Sequence, residues 1–539
     1  MRRHSTTLFL ALTLFSVTSP RLEVAAQVPE APVRYDTDHL PAAFHEGRRA
    51  AVMERLPDDA LAIFFGAPER TRSNDVSYEY RQDSDLLYLT GSAEPGSALL
   101  LAPGGITVDG RTVREILFVP PRDPAEEVWL GRRFGAERAM DVLGVELALE
   151  NTRFEEIAGP LLASDEHTVH HLPLPDGVPS GSDLAGQLDV FRSRVQPVSI
   201  SESGLTGFML HGVLASPSPE LFERLKVLVE RGFDPAAASD PTARELAEAF
   251  VETDDFADWT ETHAELTRGH PDGTELREIL DGLRTIKADE ELEAMRRAID
   301  ITADAHREVM RRLEPGWKEY EIEALVEYTF KRSGAEYPAF PSIVGSGENS
   351  VILHYESNRR TTEPGDLVVI DVGAEYRGYA ADITRTLPVT GTFSEEQRAI
   401  YDLVHRAQRA GIEAAQAGAA YLAPHRAAER VMAEGMAELG LIRDARDLNG
   451  LRRFFMHATS HYLGLDVHDV GGGGPLEPGT VITVEPGLYI APAEDIDRRW
   501  WNIGVRIEDD ILITDDGPVN LSGGAPTSSD DVEALMEGS

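Results

Sequence analysis

Apolar positions along the chain follow two rhythms. Short apolar runs at 60–66 (ALAIFFG), 86–91, 98–102 and 116–120 (ILFVP) are each bounded by Gly, Pro or polar clusters, and they predict strands. Around them, 45–56, 136–143 and 153–162 carry apolar residues at helical spacing. Strands alternating with helices predict an α/β domain over 27–197. Residues 198–283 read differently, rich in Ala, Glu and Leu, with helices predicted at 219–231, 243–251 and 274–285. This stretch is a helical insertion or linker with no catalytic signature.

The rhythm changes again from Lys287. Leu292, Met295, Ile299 and Ala303 mark one face of a long helix over 289–313, which Pro315-Gly316 ends. A second helix is predicted at 319–333, then strand, Gly-rich turn and strand over 341–355, a hairpin over 363–387, helices at 394–417 and 423–439, and two Gly-punctuated strand pairs. The reading is a second, α+β domain over 284–525 followed by a flexible tail, 526–539.

The hairpin carries the first chemical signal. Its strand 367–371 is the most apolar run of this half and ends in Asp371; 373–378 is turn-rich, and the return strand 379–387 holds Asp382 midway. A buried carboxylate is costly without a compensating charge, and two facing ones repel unless a metal or a shared proton holds them. The pattern echoes downstream. Glu363-Pro364-Gly365 precedes LVVI and Asp371; Glu477-Pro478-Gly479 precedes VITV and Glu485, and both acids lie eight residues after the Glu. Two similar halves, each ending a strand in a carboxylate, predict a common centre. In the predicted strand 505–513, Arg506 and Glu508 share one face. His457, His461 and His468 fall within 12 residues, the first two four apart, and His354 follows the apolar run VIL. His405 and His425 read as surface residues, and His170, His171, His263 and His270 have no supporting context.

Composition narrows the chemistry. The chain has no cysteine, so thiolate nucleophiles, thiolate metal sites and disulfides are excluded. Any metal must be held by oxygen and imidazole, which favours Mn²⁺, with Co²⁺, Fe²⁺ or Zn²⁺ as alternatives. Four acids (Asp371, Asp382, Glu485, Glu508) exceed what one divalent ion needs, so two ions are expected. With 51 Lys plus Arg against 93 Asp plus Glu, the formal charge of −42 argues against nucleic acid and anionic membranes as partners. Residues 1–26 read as a secretory signal: Arg2 and Arg3, an apolar core at 8–17 too short to span a bilayer, and small residues before Gln27. The chain is therefore expected to be exported, to a periplasm or beyond, with no membrane span. A buried N-terminal helix is the competing reading.

The spacing of Asp371, Asp382, His461, Glu485 and Glu508 resembles the pita-bread metallopeptidases, the superfamily of methionine aminopeptidase, prolidase and aminopeptidase P. IVGSGENSVILHY, GYAADITRTLPV, SHYLGLDVHDVG and VEPGLYI look most like aminopeptidase P, as do RSNDVSYEYRQDSDLLYLTG and EVWLGRRFG near the N-terminus. The resemblance covers most of 48–150 and essentially all of 284–521, and it is weak over 198–282. It implies a pita-bread fold of two pseudo-symmetric halves and a dinuclear Xaa-Pro aminopeptidase, working as a dimer or tetramer. In it Asp371 binds one metal, His461 and Glu485 the other, and Asp382 and Glu508 are shared. Glu485 also shuttles a proton, His354 and His468 bind or stabilise the tetrahedral intermediate, His457 shapes the pocket, and Arg506 orients the carboxylates. Asp75, Trp129 (through a neighbouring subunit) and Tyr489 match substrate-pocket residues. Two positions depart from the pattern: Phe340 stands where some relatives carry Tyr, and Tyr462 where bacterial members commonly carry Trp.

Two rivals stand beside this reading. A prolidase would cleave only Xaa-Pro dipeptides. A non-catalytic peptide-binding module built on the same fold would have lost metal ligands, and all five are present.

Overall fold

The computed structural model describes residues 39–195, 204–214, 219–229, 232–266 and 273–538. The expected leader at 1–26 and His270 lie outside them.

The N-terminal layer is built on one sheet. Ala60–Phe65 pairs antiparallel with Ala98–Val108, which pairs antiparallel with Arg111–Val119; Thr168–His171 and Ala148–Glu150 extend the two edges in parallel. Ile63, Phe65, Leu100 and Phe118 pack with Phe154, Leu188 and Phe191 of the covering helices Phe154–Leu162 and Asp183–Val195. The run at 86–91, expected as a strand, is the helix Ser84–Thr90. The Asp83 carboxylate accepts from the Asp85 and Leu86 amides, and Gly91 ends the helix at φ 67°. A short apolar run cannot separate strand from buried helix, and here the caps decide.

Helices Gly204–Leu214, Pro219–Val229, Pro241–Glu252 and Phe256–Leu266 enclose their own core of Met209, Leu210, Phe222, Leu246, Phe250 and Trp259. Thr274–Thr285 then leads into the 24-residue helix Asp289–Arg312.

In the C-terminal half, Leu367–Val372 lies between Ile343–Ser346 and Ile383–Pro388, antiparallel to both. The connection expected as a turn is itself a hairpin: Ala374–Tyr376 and Tyr379–Ala380, closed by Arg377 and Gly378 at φ 55° and 83°. Thus the return strand is split, and Asp382 stands immediately before its second part. The other half repeats this plan. Val481–Val484 pairs antiparallel with Asp509–Thr514, and Gly487–Ile490 with Ile503–Arg506. The expected strand over 505–513 is therefore broken at Ile507-Glu508, and Glu508 precedes its return strand as Asp382 precedes its own. In 341–355 only Ile343–Ser346 is a strand; Gly347–Val351 is a 3₁₀ turn and no second strand follows. Residues expected as a flexible tail form the helix Ser529–Glu537, with Val532 buried and Asp530 paired to Arg398 at 2.8 Å.

Candidate metal centre

The split strands aim four acids at one point. Asp371 is the penultimate residue of Leu367–Val372, in register with Thr384, and Glu485 follows Val484 directly. Asp371, Asp382 and Glu508 are only 8%, 6% and 2% exposed. His461 meets them from the loop between Phe455 and Gly471: its Nε2 is 3.4 Å from Asp382, 3.9 Å from Glu485 and 3.9 Å from Glu508. One donor atom each from Asp382, His461 and Glu508 lies within 4.8 Å of the others. The His461 Nδ1–H donates to the Tyr462 carbonyl at 3.0 Å, which turns the Nε2 lone pair toward the acids. All five residues bring their side chains to one cleft of about 390 Å³, which His354, His457, His468, Arg506 and Phe340 also line.

The electrostatics call for positive charge at this point. Burial, followed by the charges of Glu508 and Asp371, holds the Asp382 carboxyl well above the usual carboxylate range. Burial and then Glu508 do the same to Glu485. Glu508 is pushed up to about 7 by burial and then Asp371. Asp371 Oδ1 and Asp382 Oδ1 are buried without a hydrogen-bond partner. Orphaned carboxylate oxygens beside an imidazole nitrogen, with no thiolate, form a donor set suited to divalent cations.

One fixed cation is already present. Arg506, 3% exposed, donates to Asp371 Oδ2 at 2.5 Å, to Tyr489 Oη at 2.8 Å and to Thr384 Oγ1 at 3.2 Å. The chain continues outward, since Tyr489 Oη lies 2.9 Å from His457 Nε2. Burial, then the Arg506 charge, lowers the His457 imidazole to about 4, so it is neutral near pH 7 and accepts the Tyr489 hydroxyl proton. His468 packs its ring 4.3 Å from that of His461, and burial lowers its pKa.

Two expected pocket residues stay apart from the cleft. Asp75 is exposed on the hairpin of Thr71–Ser73 and Val76–Ser77, and Trp129 is 86% exposed on the helix Pro124–Leu130. Neither lines the cleft of this chain. Tyr462, in place of the expected Trp, stacks on Tyr421 with ring centres 4.9 Å apart.

Sequence reasoning missed three residues. Thr384 donates its hydroxyl to Glu508 Oε2 at 2.6 Å while accepting from Arg506. It faces the same side as Asp382, two positions earlier, and this period-two placement is the signal that could have found it. Asp510, fully buried, accepts the Asp382 amide at 3.2 Å. His425, read as a surface residue, is half-buried, with Nδ1 2.9 Å from Thr459 Oγ1 and its ring against Phe455. His405 is half-buried, and His170, His171 and His263 are buried away from the cleft.

Comparison with known proteins agrees with this geometry. Metallopeptidase family M24 matches residues 293–515, and the aminopeptidase P N-terminal domain matches 45–170. Xaa-Pro aminopeptidase of Escherichia coli is 36% identical over 498 residues, covering 91% of this chain and 96% of the relative. Xaa-Pro aminopeptidase 2 of Streptomyces coelicolor is 34% identical, covering 91% and 90%. Among solved structures, E. coli aminopeptidase P with the inhibitor Pro-Leu superposes with a TM-score of 0.72 at 34% identity, covering 93% of this chain and 99% of the other. Pseudomonas aeruginosa aminopeptidase PepP gives 0.73 at 32%, with the same coverage. With an N-terminal aminopeptidase P layer and a pita-bread half that both match over nearly their whole length, the chain belongs to the aminopeptidase P branch of metallopeptidase family M24.

Proposed function

We propose that the chain is a Xaa-Pro aminopeptidase, releasing the first residue from peptides whose second residue is proline. The observation that carries this is the convergence of Asp371, Asp382, His461, Glu485 and Glu508 in one cleft that His354 and His468 also line. The names of the relatives support the same substrate class.

Asp371, Asp382, His461, Glu485 and Glu508 would hold two divalent ions, with Mn²⁺ the first expectation and Co²⁺, Fe²⁺ or Zn²⁺ the alternatives. When bound, such a pair supplies a Lewis acid and lowers the pKa of water to near neutrality. Around it this chain's residues divide the work. Glu485 takes the proton released as water attacks the carbonyl of the first residue and passes it to the leaving proline nitrogen. His354 and His468 face the place where oxyanion charge develops, where a donor is worth most. Arg506 fixes Asp371 and Tyr489, and through Thr384 it shares the support of Glu508. His457 closes the pocket against Tyr489.

Trp129 and its neighbours Val128 and Leu130, at 86%, 80% and 66% exposure, make a small apolar surface. This surface supports a dimer or tetramer in which one subunit offers Trp129 to another's cleft. The leader sequence at 1–26 supports an exported protein.

The deciding experiment compares Xaa-Pro-Xaa tripeptides with Xaa-Pro dipeptides, before and after chelation and re-addition of Mn²⁺. Cleavage of the longer peptides, lost with chelator and restored by metal, is expected. Cleavage of dipeptides alone would assign a prolidase, and metal-independent binding without turnover would assign a recognition module.

A further inference from the structure

His468 reaches the cleft without a side-chain hydrogen bond to any described residue, so its position depends on the loop that carries it. That loop closes on itself: the Asp469 amide donates to the Tyr462 carbonyl at 3.0 Å. Its two acids, Asp466 and Asp469, flank His468 and point away from the cleft, toward the N-terminal layer. Both meet one guanidinium. Arg284, at the end of the helix Thr274–Thr285 and 2% exposed, donates from Nη2 to Asp466 Oδ2 at 2.7 Å and to Asp469 Oδ1 at 2.5 Å. Its Nη1 donates to Asp85 Oδ1 at 2.7 Å, which ties the loop to the first turn of Ser84–Thr90. Lys287 Nζ holds the other Asp469 oxygen at 2.9 Å. The fit is tight: a Cβ on Gly464 would stand 2.0 Å from Asp469 Oδ2.

We propose that Arg284 is a positioning residue for His468, clamping both ends of its loop so that the imidazole faces the reacting carbonyl. This deepens the peptidase reading and rests on it for the role of His468. The argument is geometric. Arg284 does not line the cleft, so it acts through the loop that does. Its Nη2 bridges carboxylates two residues on one side of His468 and one on the other while Nη1 holds Asp85, so one planar group joins the two acids and anchors them to a third, which a point charge cannot do. The clamp also makes the catalytic loop answer to the N-terminal layer, because Asp85 holds the far arm of the fork.

The test is a double-mutant cycle on the full-length, metal-loaded protein. Arg284→Met and the milder Asp466→Asn, whose side chain is 43% exposed, are each made with native His468 and with His468→Ala. With His468 present, each is expected to lower kcat roughly 10- to 100-fold with little change in KM, and Arg284→Lys to rescue Arg284→Met only partly. With His468→Ala the same changes are expected to cost less than about threefold. Equal losses in both backgrounds overturn the proposal. A second readout needs no turnover: amide hydrogen exchange over 463–470 is expected to quicken in Asp466→Asn while exchange in Leu367–Val372 stays as it was. Unchanged exchange in the loop overturns the clamp. A native protein that cleaves no proline peptide would overturn the peptidase reading, and the exchange result would still decide the clamp.

Discussion

Arg506 Nη2 donates to Asp371 Oδ2 at 2.5 Å, placing a permanent cation at the edge of a four-acid cluster. The same guanidinium reaches Tyr489 and Thr384, so one side chain sets the orientation of three others. Replacing it with lysine keeps the charge and loses the fork. Arg506→Lys is expected to lower kcat about 10- to 100-fold while the far-UV circular dichroism stays native. Near-normal turnover would show that charge alone suffices.

Thr384 supports a carboxylate from behind. Its hydroxyl donates to Glu508 Oε2 at 2.6 Å, and valine has the same shape without the donor. Thr384→Val is expected to weaken divalent-ion affinity about tenfold or more, read by titrating activity against a chelator-buffered Mn²⁺ series.

Without a cation the cluster works against folding as pH rises. Glu508 titrates near 7 in the folded protein, raised from the usual carboxylate range, and Asp382 and Glu485 are raised as well. A raised carboxyl pKa means the folded state holds more protons than the unfolded one, so stability falls as pH climbs from about 4.5 through 7. The metal-free protein is therefore expected to lose melting temperature over that window. Added Mn²⁺ should raise Tm more at about pH 7.5 than at about pH 5, because only the ionised cluster binds it tightly. A Tm gain independent of pH would contradict this.

His306 acts in the opposite sense. It is fully buried on Asp289–Arg312, its Nε2 donates to the Ile383 carbonyl at 3.0 Å, and its Nδ1 has no partner. Burial, then the charge of Arg385, lowers its pKa to about 3. A lowered histidine pKa gives stability that is complete above pH 6.5 and is lost as pH falls toward 3. His306→Gln keeps a donor and removes the titration, so its unfolding curve is expected to flatten with acid relative to the native protein. Parallel curves from pH 7 down to about 4 would exclude His306 as the acid-sensitive group.

Much of the centre was readable from residue order. Asp371 and Glu485 end apolar runs at matched offsets, and a carboxylate there has to face something charged. The histidine cluster was legible for its density alone. The strand breaks were not, because whether 379–387 runs through or splits at Asp382 depends on the Arg377-Gly378 turn pulling two residues into another sheet. The helix Ser84–Thr90 was missed because Leu86, Leu87 and Leu89 give no period over so short a run. Thr384 had only its period-two spacing from Asp382 to mark it, a weak signal, because a threonine on a strand is ordinary until a partner acid is placed opposite. Trp129 follows from the family resemblance alone, and among the described residues it stays outside the cleft.

The four helices Gly204–Leu214, Pro219–Val229, Pro241–Glu252 and Phe256–Leu266 bury a core of their own. A unit that owes its solidity to itself can be lengthened, reshaped or charged differently with little effect on strand register at the acids. A tag or tether grafted there would sit on a core that shares no residue with the cleft.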